Sequence, residues 1–100
     1  MLIRSQDKVT LTNFEQVTDL TIVPNEKEFE IYVCYPFSVT AYNEYSKLCI
    51  GTYSTNEKAI KVLDMIQEKY QEPIYQNVIG NNETAIYKNM VFQMPQDSEV

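Results

Sequence analysis

Residues 47–70, KLCIGTYSTNEKAIKVLDMIQEKY, constrain the fold more than any other stretch, because they read as a strand, a capped turn and an amphipathic helix in immediate succession. Leu48 and Ile50 alternate with Lys47 and Cys49, which is the period of a half-buried strand. Ser54 followed three residues on by Glu57 has the form of a capping box, satisfying amide groups that a helix start leaves open. Ala59, Val62, Leu63, Ile66 and Tyr70 then share one side of a helix over about residues 55–70, with Glu57, Lys61, Asp64 and Glu68 opposite. Glu57 and Lys61 are in the favourable order for an i,i+4 pair. A strand that runs straight into a helix with one apolar face must lay that face on its own sheet, so an α+β domain is predicted.

The rest of the chain reads mainly as strands. Residues 2–4 and 9–12 flank the polar loop Ser5-Gln6-Asp7-Lys8 as a hairpin, and residues 17–23 follow with Leu20 and Ile22 on one face. The cleanest alternation comes next: Phe29, Ile31 and Val33 share one face, Glu28, Glu30 and Tyr32 the other. After Pro36, residues Phe37, Val39 and Ala41 alternate again before the chain enters 47–53. Pro73 ends the helix, a turn is expected at residues 80–82, and a last strand at about residues 85–94 places Met90, Phe92 and Met94 on one face. Short connections imply antiparallel pairing. The expected object is therefore one domain over residues 1–95: a curved antiparallel sheet of about six or seven strands, a partial barrel or roll, with the helix packed on it. Residues 96–100 read as a polar C-terminal tail.

Composition removes several classes of function. The chain has no histidine, which takes away Ser-His-Asp and Cys-His systems and the usual imidazole acid and base. Its two glycines build neither a dinucleotide fingerprint nor a P-loop. A net charge of −6, with eight basic side chains dispersed and Arg4 the single arginine, disfavours direct nucleic-acid binding. There is neither an apolar run of membrane-spanning length nor a basic start followed by an apolar stretch, so a cytoplasmic location without membrane contact is expected. In that compartment Cys34 and Cys49 are read as reduced, and their spacing matches no zinc motif. Carboxylate pairs at Glu28/Glu30 and Asp64/Glu68 fall on solvent faces, where raised pKa values are not expected. No enzyme activity, cofactor or metal is expected.

Two constellations are candidate binding sites. Arg4, Gln6, Asp7 and Lys8 concentrate donors and acceptors in one hairpin, although a hairpin tip is also polar simply because it faces water. The second is tyrosine, of which there are eight. Tyr32, Tyr42 and Tyr53 fall on strand faces opposite the alternating core residues, and tyrosine offers a large contact area at small entropy cost. The alternative is that both faces of the sheet are covered, one by the helix and one by curling.

The segments Ile3-Arg4-Ser5-Gln6-Asp7-Lys8, Gly51-Thr52-Tyr53-Ser54-Thr55 with Glu57 to Ile66, and Phe92-Gln93-Met94-Pro95 resemble a group of small uncharacterised proteins of Gram-positive bacteria and their phages or mobile elements. The resemblance implies a bacterial setting and transfers no catalytic or binding residue. The expected function is a non-catalytic binding or adaptor protein acting through a protein–protein contact. Alternatives are a nucleotide-type small-molecule binder using Arg4, Lys8 and tyrosines, or an acidic DNA mimic built on Glu26, Glu28 and Glu30. A homodimer through the tyrosine face or a sheet edge remains open.

Overall fold

A computed structural model describes residues 1–36, 47–71 and 90–100. The fold is α+β, and the described residues form one α-helix and two small sheets. Strands β1 (Leu2–Arg4) and β2 (Leu11–Asn13) form the predicted hairpin and are followed by a 3-10 turn at Phe14–Gln16. Strands β3 (Asp19–Pro24), β4 (Phe29–Cys34) and β5 (Lys47–Tyr53) form an antiparallel meander. Helix α1 (Asn56–Gln71), strand β6 (Val91–Gln93) and a 3-10 turn at Asp97–Glu99 complete the described elements. The expected strand after Pro36 and the turn near residue 80 lie outside the described residues.

Instead of one sheet of six or seven strands, the described residues form two three-stranded sheets, ordered β2–β1–β6 and β3–β4–β5, with no closed barrel among them. The pairing is not wholly antiparallel either. β6 lies parallel to β1, with Ile3 opposite Phe92. This contact joins the two ends of the chain, and no short-range pattern carries such a pairing.

The β4 alternation holds as expected: Ile31 and Val33 are fully buried and Phe29 packs against them. Leu20 and Ile22 stand opposite Val33 and Ile31 on the same face. Helix α1 crosses this face, touching β3, β4 and β5, and buries Ala59, Val62 and Ile66. Leu63 and Met65 are only half-buried, and Tyr70 lies at the margin, edge-on to Phe14 with ring centroids 5.0 Å apart. Ile3 and Phe92 close the core from the other sheet, and Met94 from the irregular segment that follows β6. Full burial of each aliphatic side chain contributes about 1.5–3 kcal/mol, so this shared core dominates the stability.

The start of the helix differs in detail from the expected capping box. Thr55 supplies the cap, its Oγ1 accepting the Lys58 amide at 3.2 Å. Ser54 turns the other way: its amide and hydroxyl donate to Asp97 Oδ1 at 2.8 and 3.0 Å, and Lys58 Nζ adds an ion pair to Oδ2 at 3.3 Å. Among the described residues, the ion pairs are this one and the Met1 α-ammonium with Glu15; Glu57 and Lys61 do not close a pair. Residues 96–100 are thus no free tail. Asp97 fastens them to the helix start, and Val100 packs against the core.

Candidate protein-binding face

The loop at Ser5–Lys8 is built by hydrogen bonds within the hairpin. Lys8 donates its amide to Ser5 O at 2.9 Å and adopts a positive φ of 68°, the left-handed conformation that closes the turn. Ser5 is buried; its hydroxyl donates to Asp7 Oδ1 and accepts the Thr10 amide at 3.1 Å. Asp7 Oδ1 also accepts the Val9 amide. The Ser5 hydroxyl and then this amide hold the Asp7 carboxyl below its ordinary value.

The four candidate residues of this loop are brought together in sequence but separate by role. Gln6 faces inward. Its main-chain amide donates to Ile50 O at 2.8 Å, its Oε1 accepts the Thr52 amide at 2.9 Å, and its Nε2 donates to Thr52 O at 3.1 Å and Pro95 O at 3.2 Å. The side chain continues the β5 ladder as a neighbouring strand would. Asp7 organises the loop. Arg4 and Lys8 are exposed, and no carboxylate among the described residues pairs with either. Arg4 Nε donates to Lys8 O at 3.1 Å, which fixes the guanidinium and leaves its terminal nitrogens outward of that bond.

Among the described residues, Tyr32 and Tyr53 of the tyrosine constellation do not share a face. Tyr53 is 1% exposed, not on an outer face, and its hydroxyl donates to Pro95 O at 2.8 Å. The cause is a β-bulge. Ile31 stands opposite Gly51 while Tyr32 stands opposite Cys49, so Ile50 is an extra residue on β5. One inserted residue inverts every later side chain, which carries Gly51 and Tyr53 to the core face and Thr52 outward. Gly51 makes room there, because a Cβ would lie 3.0 Å from both Met94 Cε and Tyr53 Cε2, and those side chains would have to give. Burial, followed by the charges of Asp97 and Glu99, pushes the Tyr53 hydroxyl pKa well above its ordinary value. Tyr42 lies outside the described residues.

Tyr32 does sit on the outer face of β3–β4–β5, half-buried, with its hydroxyl donating to Glu30 Oε2 at 2.7 Å. Asn25 Nδ2 holds the other oxygen. These two bonds, Tyr32 first, lower the Glu30 pKa, and the Tyr32 hydroxyl is raised in turn. Farther along the same face, a concavity of about 410 Å³ opens among Asp19, Thr21, Cys34, Tyr35 and Lys47. Neither Arg4 nor Lys8 lines it. Cys34 is buried and Cys49 half-buried; desolvation raises both thiols, so neither is an activated nucleophile.

The surface that sequence reasoning missed is the outer face of β2–β1–β6. The register places Leu11, Arg4 and Gln93 in one cross-strand row and Asn13, Leu2 and Val91 in the next, while Thr12, Ile3 and Phe92 point inward. Leu11 is 58% and Val91 50% exposed; Val9, in the segment before β2, is 82% exposed. Alternation alone would turn Val9 and Leu11 inward and Thr12 outward. The buried Thr12 is satisfied by the Tyr35 hydroxyl, which donates to its Oγ1 at 3.2 Å.

Comparison with protein-family models, curated proteins and solved structures gives no match. Among the described residues, no helix is long and apolar enough to cross a membrane.

Proposed function

We propose that this chain is a non-catalytic binding protein that acts by contacting another protein through the outer face of β2–β1–β6. The observation that carries the reading is that exposed Leu11 and Val91 share the outer face of β2–β1–β6 with Arg4, the single arginine of the sequence. Single exposed aliphatic residues are ordinary, whereas an arginine with apolar side chains on the same face offers both the charged anchor and the apolar area that a contact uses. A nucleotide-type ligand is less favoured, because Arg4 and Lys8 stand apart from the lining of the concavity beside Tyr35. A bacterial setting under phage or mobile-element control is proposed on the motif resemblance.

The test is affinity retrieval from a bacterial lysate with the full chain, a Leu11→Ser/Val91→Ser variant and a Tyr32→Ala variant. The reading expects a discrete protein to be retained by the full chain and by Tyr32→Ala, and lost with the double variant. Retrieval of nothing, or loss only with Tyr32→Ala, overturns it.

A further inference from the structure

The chemistry of this face narrows the partner. We infer that it receives a short acidic segment of another protein, in which a carboxylate meets Arg4 and neighbouring apolar side chains cover Leu11 and Val91. The inference rests on the protein-contact reading above.

Charge is the first argument. The molecule carries a net charge of −6, yet the outer face of β2–β1–β6 carries Arg4, and the adjoining loop carries Lys8 against one carboxylate, Asp7. Asp7 Oδ1 accepts from the Ser5 hydroxyl and the Val9 amide, which turns that oxygen into the loop and not toward Arg4. Arg4 has no carboxylate partner among the described residues, and its bond to Lys8 O fixes it before any partner arrives. A planar guanidinium held in this way favours bidentate pairing with a carboxylate, which a partner must supply.

Size is the second argument. Strands of three residues rising about 3.3 Å each, spaced about 4.8 Å apart, give a face of at most a few hundred Å². A stable pair of folded proteins buries about 800 Å² per partner. The face therefore fits a short segment better than a second copy of this chain. An isologous dimer would also set Arg4 against Arg4, like charge on like, in the central strand of the face.

Fluorescence anisotropy with labelled, end-blocked peptides tests this directly. The probes are peptides of about eight residues that alternate valine with glutamate, glutamine or lysine, a length matching about two short strands. The glutamate peptide is expected to bind at least tenfold more tightly than the glutamine peptide, and to weaken as salt rises from about 50 mM to about 300 mM. Arg4→Gln should remove this preference, and Arg4→Glu should transfer it to the lysine peptide; urea midpoints check that both variants fold. Equal binding of the glutamate and glutamine peptides overturns the acidic partner while leaving the protein contact intact. If no peptide binds although retrieval from lysate still depends on Leu11 and Val91, this inference fails alone; if retrieval fails too, both readings fall. Flotation with vesicles containing about one third phosphatidylglycerol, dependent on Arg4, would assign the face to a lipid surface and overturn the inference. Sedimentation revealing a dimer that Leu11→Ser dissociates would overturn it in favour of a second copy.

Discussion

The side-chain amide of Gln6 pairs with both main-chain polar groups of Thr52, accepting from its N–H at 2.9 Å and donating to its C=O at 3.1 Å. One side chain thereby does what an adjacent strand would do, capping the edge of β5 just beyond the bulge at Ile50. Gln96 Nε2 donates to Gln6 O at 2.7 Å and Gln93 Nε2 to Ser5 O at 3.0 Å, so the C-terminal segment closes over the same loop. Residues of the segments 3–8, 51–55 and 92–95 meet at this lock, where Gln6 bonds to both Thr52 and Pro95.

Gln6→Ala leaves the partly buried amide and carbonyl of Thr52 without this partner. Unsatisfied groups of this kind cost about 1–3 kcal/mol each, and water reaches the half-buried Thr52, so a loss in the lower part of the two-group range, about 2–4 kcal/mol, is expected. Urea denaturation measures it; a midpoint unchanged from the parent would show that the lock contributes nothing.

Gly51→Ala introduces a methyl 3.0 Å from the Tyr53 ring and from Met94 Cε. Met94 can swing its terminal methyl away, whereas Tyr53 is held by its hydroxyl bond to Pro95 O. A cost of about 1–3 kcal/mol is expected. Tyr53→Phe alone should cost about 1–2 kcal/mol through that bond. In the double variant the penalties should fall short of their sum, because the freed ring yields to the new methyl.

In the helix, Ile66 is 1% exposed and Leu63 is half-buried. Ile66→Ala is expected to cost about 3–5 kcal/mol, whereas Leu63→Ala lies at or below about 2 kcal/mol. Equal losses in thermal or urea unfolding would mean that the apolar stripe is centred elsewhere.

Asp97 supplies a pH dependence. The Ser54 amide, then its hydroxyl and the Lys58 ammonium, depress the folded-state pKa below the ordinary 3.8. A depressed carboxyl stabilises the fold above its unfolded pKa, and that contribution disappears as pH falls through the folded value. The difference in Tm between the full chain and Asp97→Asn should therefore be widest near neutrality and narrow progressively as the pH falls below the ordinary carboxyl value of 3.8. Asp7 and Glu30 titrate in the same direction in both proteins and cancel in the difference. A difference independent of pH would mean that the carboxylate charge plays no part in the lock.

What the sequence made legible was local. Phe29, Ile31 and Val33 alternate as a single strand with one buried face, and Ala59, Val62 and Ile66 recur at helical spacing; neither pattern depends on distant partners. The errors share a different cause. Strand periodicity turns Tyr53 outward because a bulge leaves no mark in it, and the bond of buried Thr12 to the Tyr35 hydroxyl spans 23 positions. The parallel pairing of β1 with β6 and the docking of Asp97 on Ser54 join residues roughly forty to ninety positions apart, beyond any local signal. At the candidate site, the sequence singled out Arg4 and Lys8 but not Val9, Leu11 and Val91, whose outward direction follows from those same distant contacts.

The most direct test of the account is the Arg4→Glu variant in lysate retrieval, with its urea midpoint measured beside that of Gln6→Ala. The account predicts that Arg4→Glu keeps the parental midpoint within about 0.5 kcal/mol of stability and loses the retained protein, whereas Gln6→Ala lowers the midpoint and, while folded, still retains it. Undiminished retrieval by folded Arg4→Glu would contradict the assignment of this face.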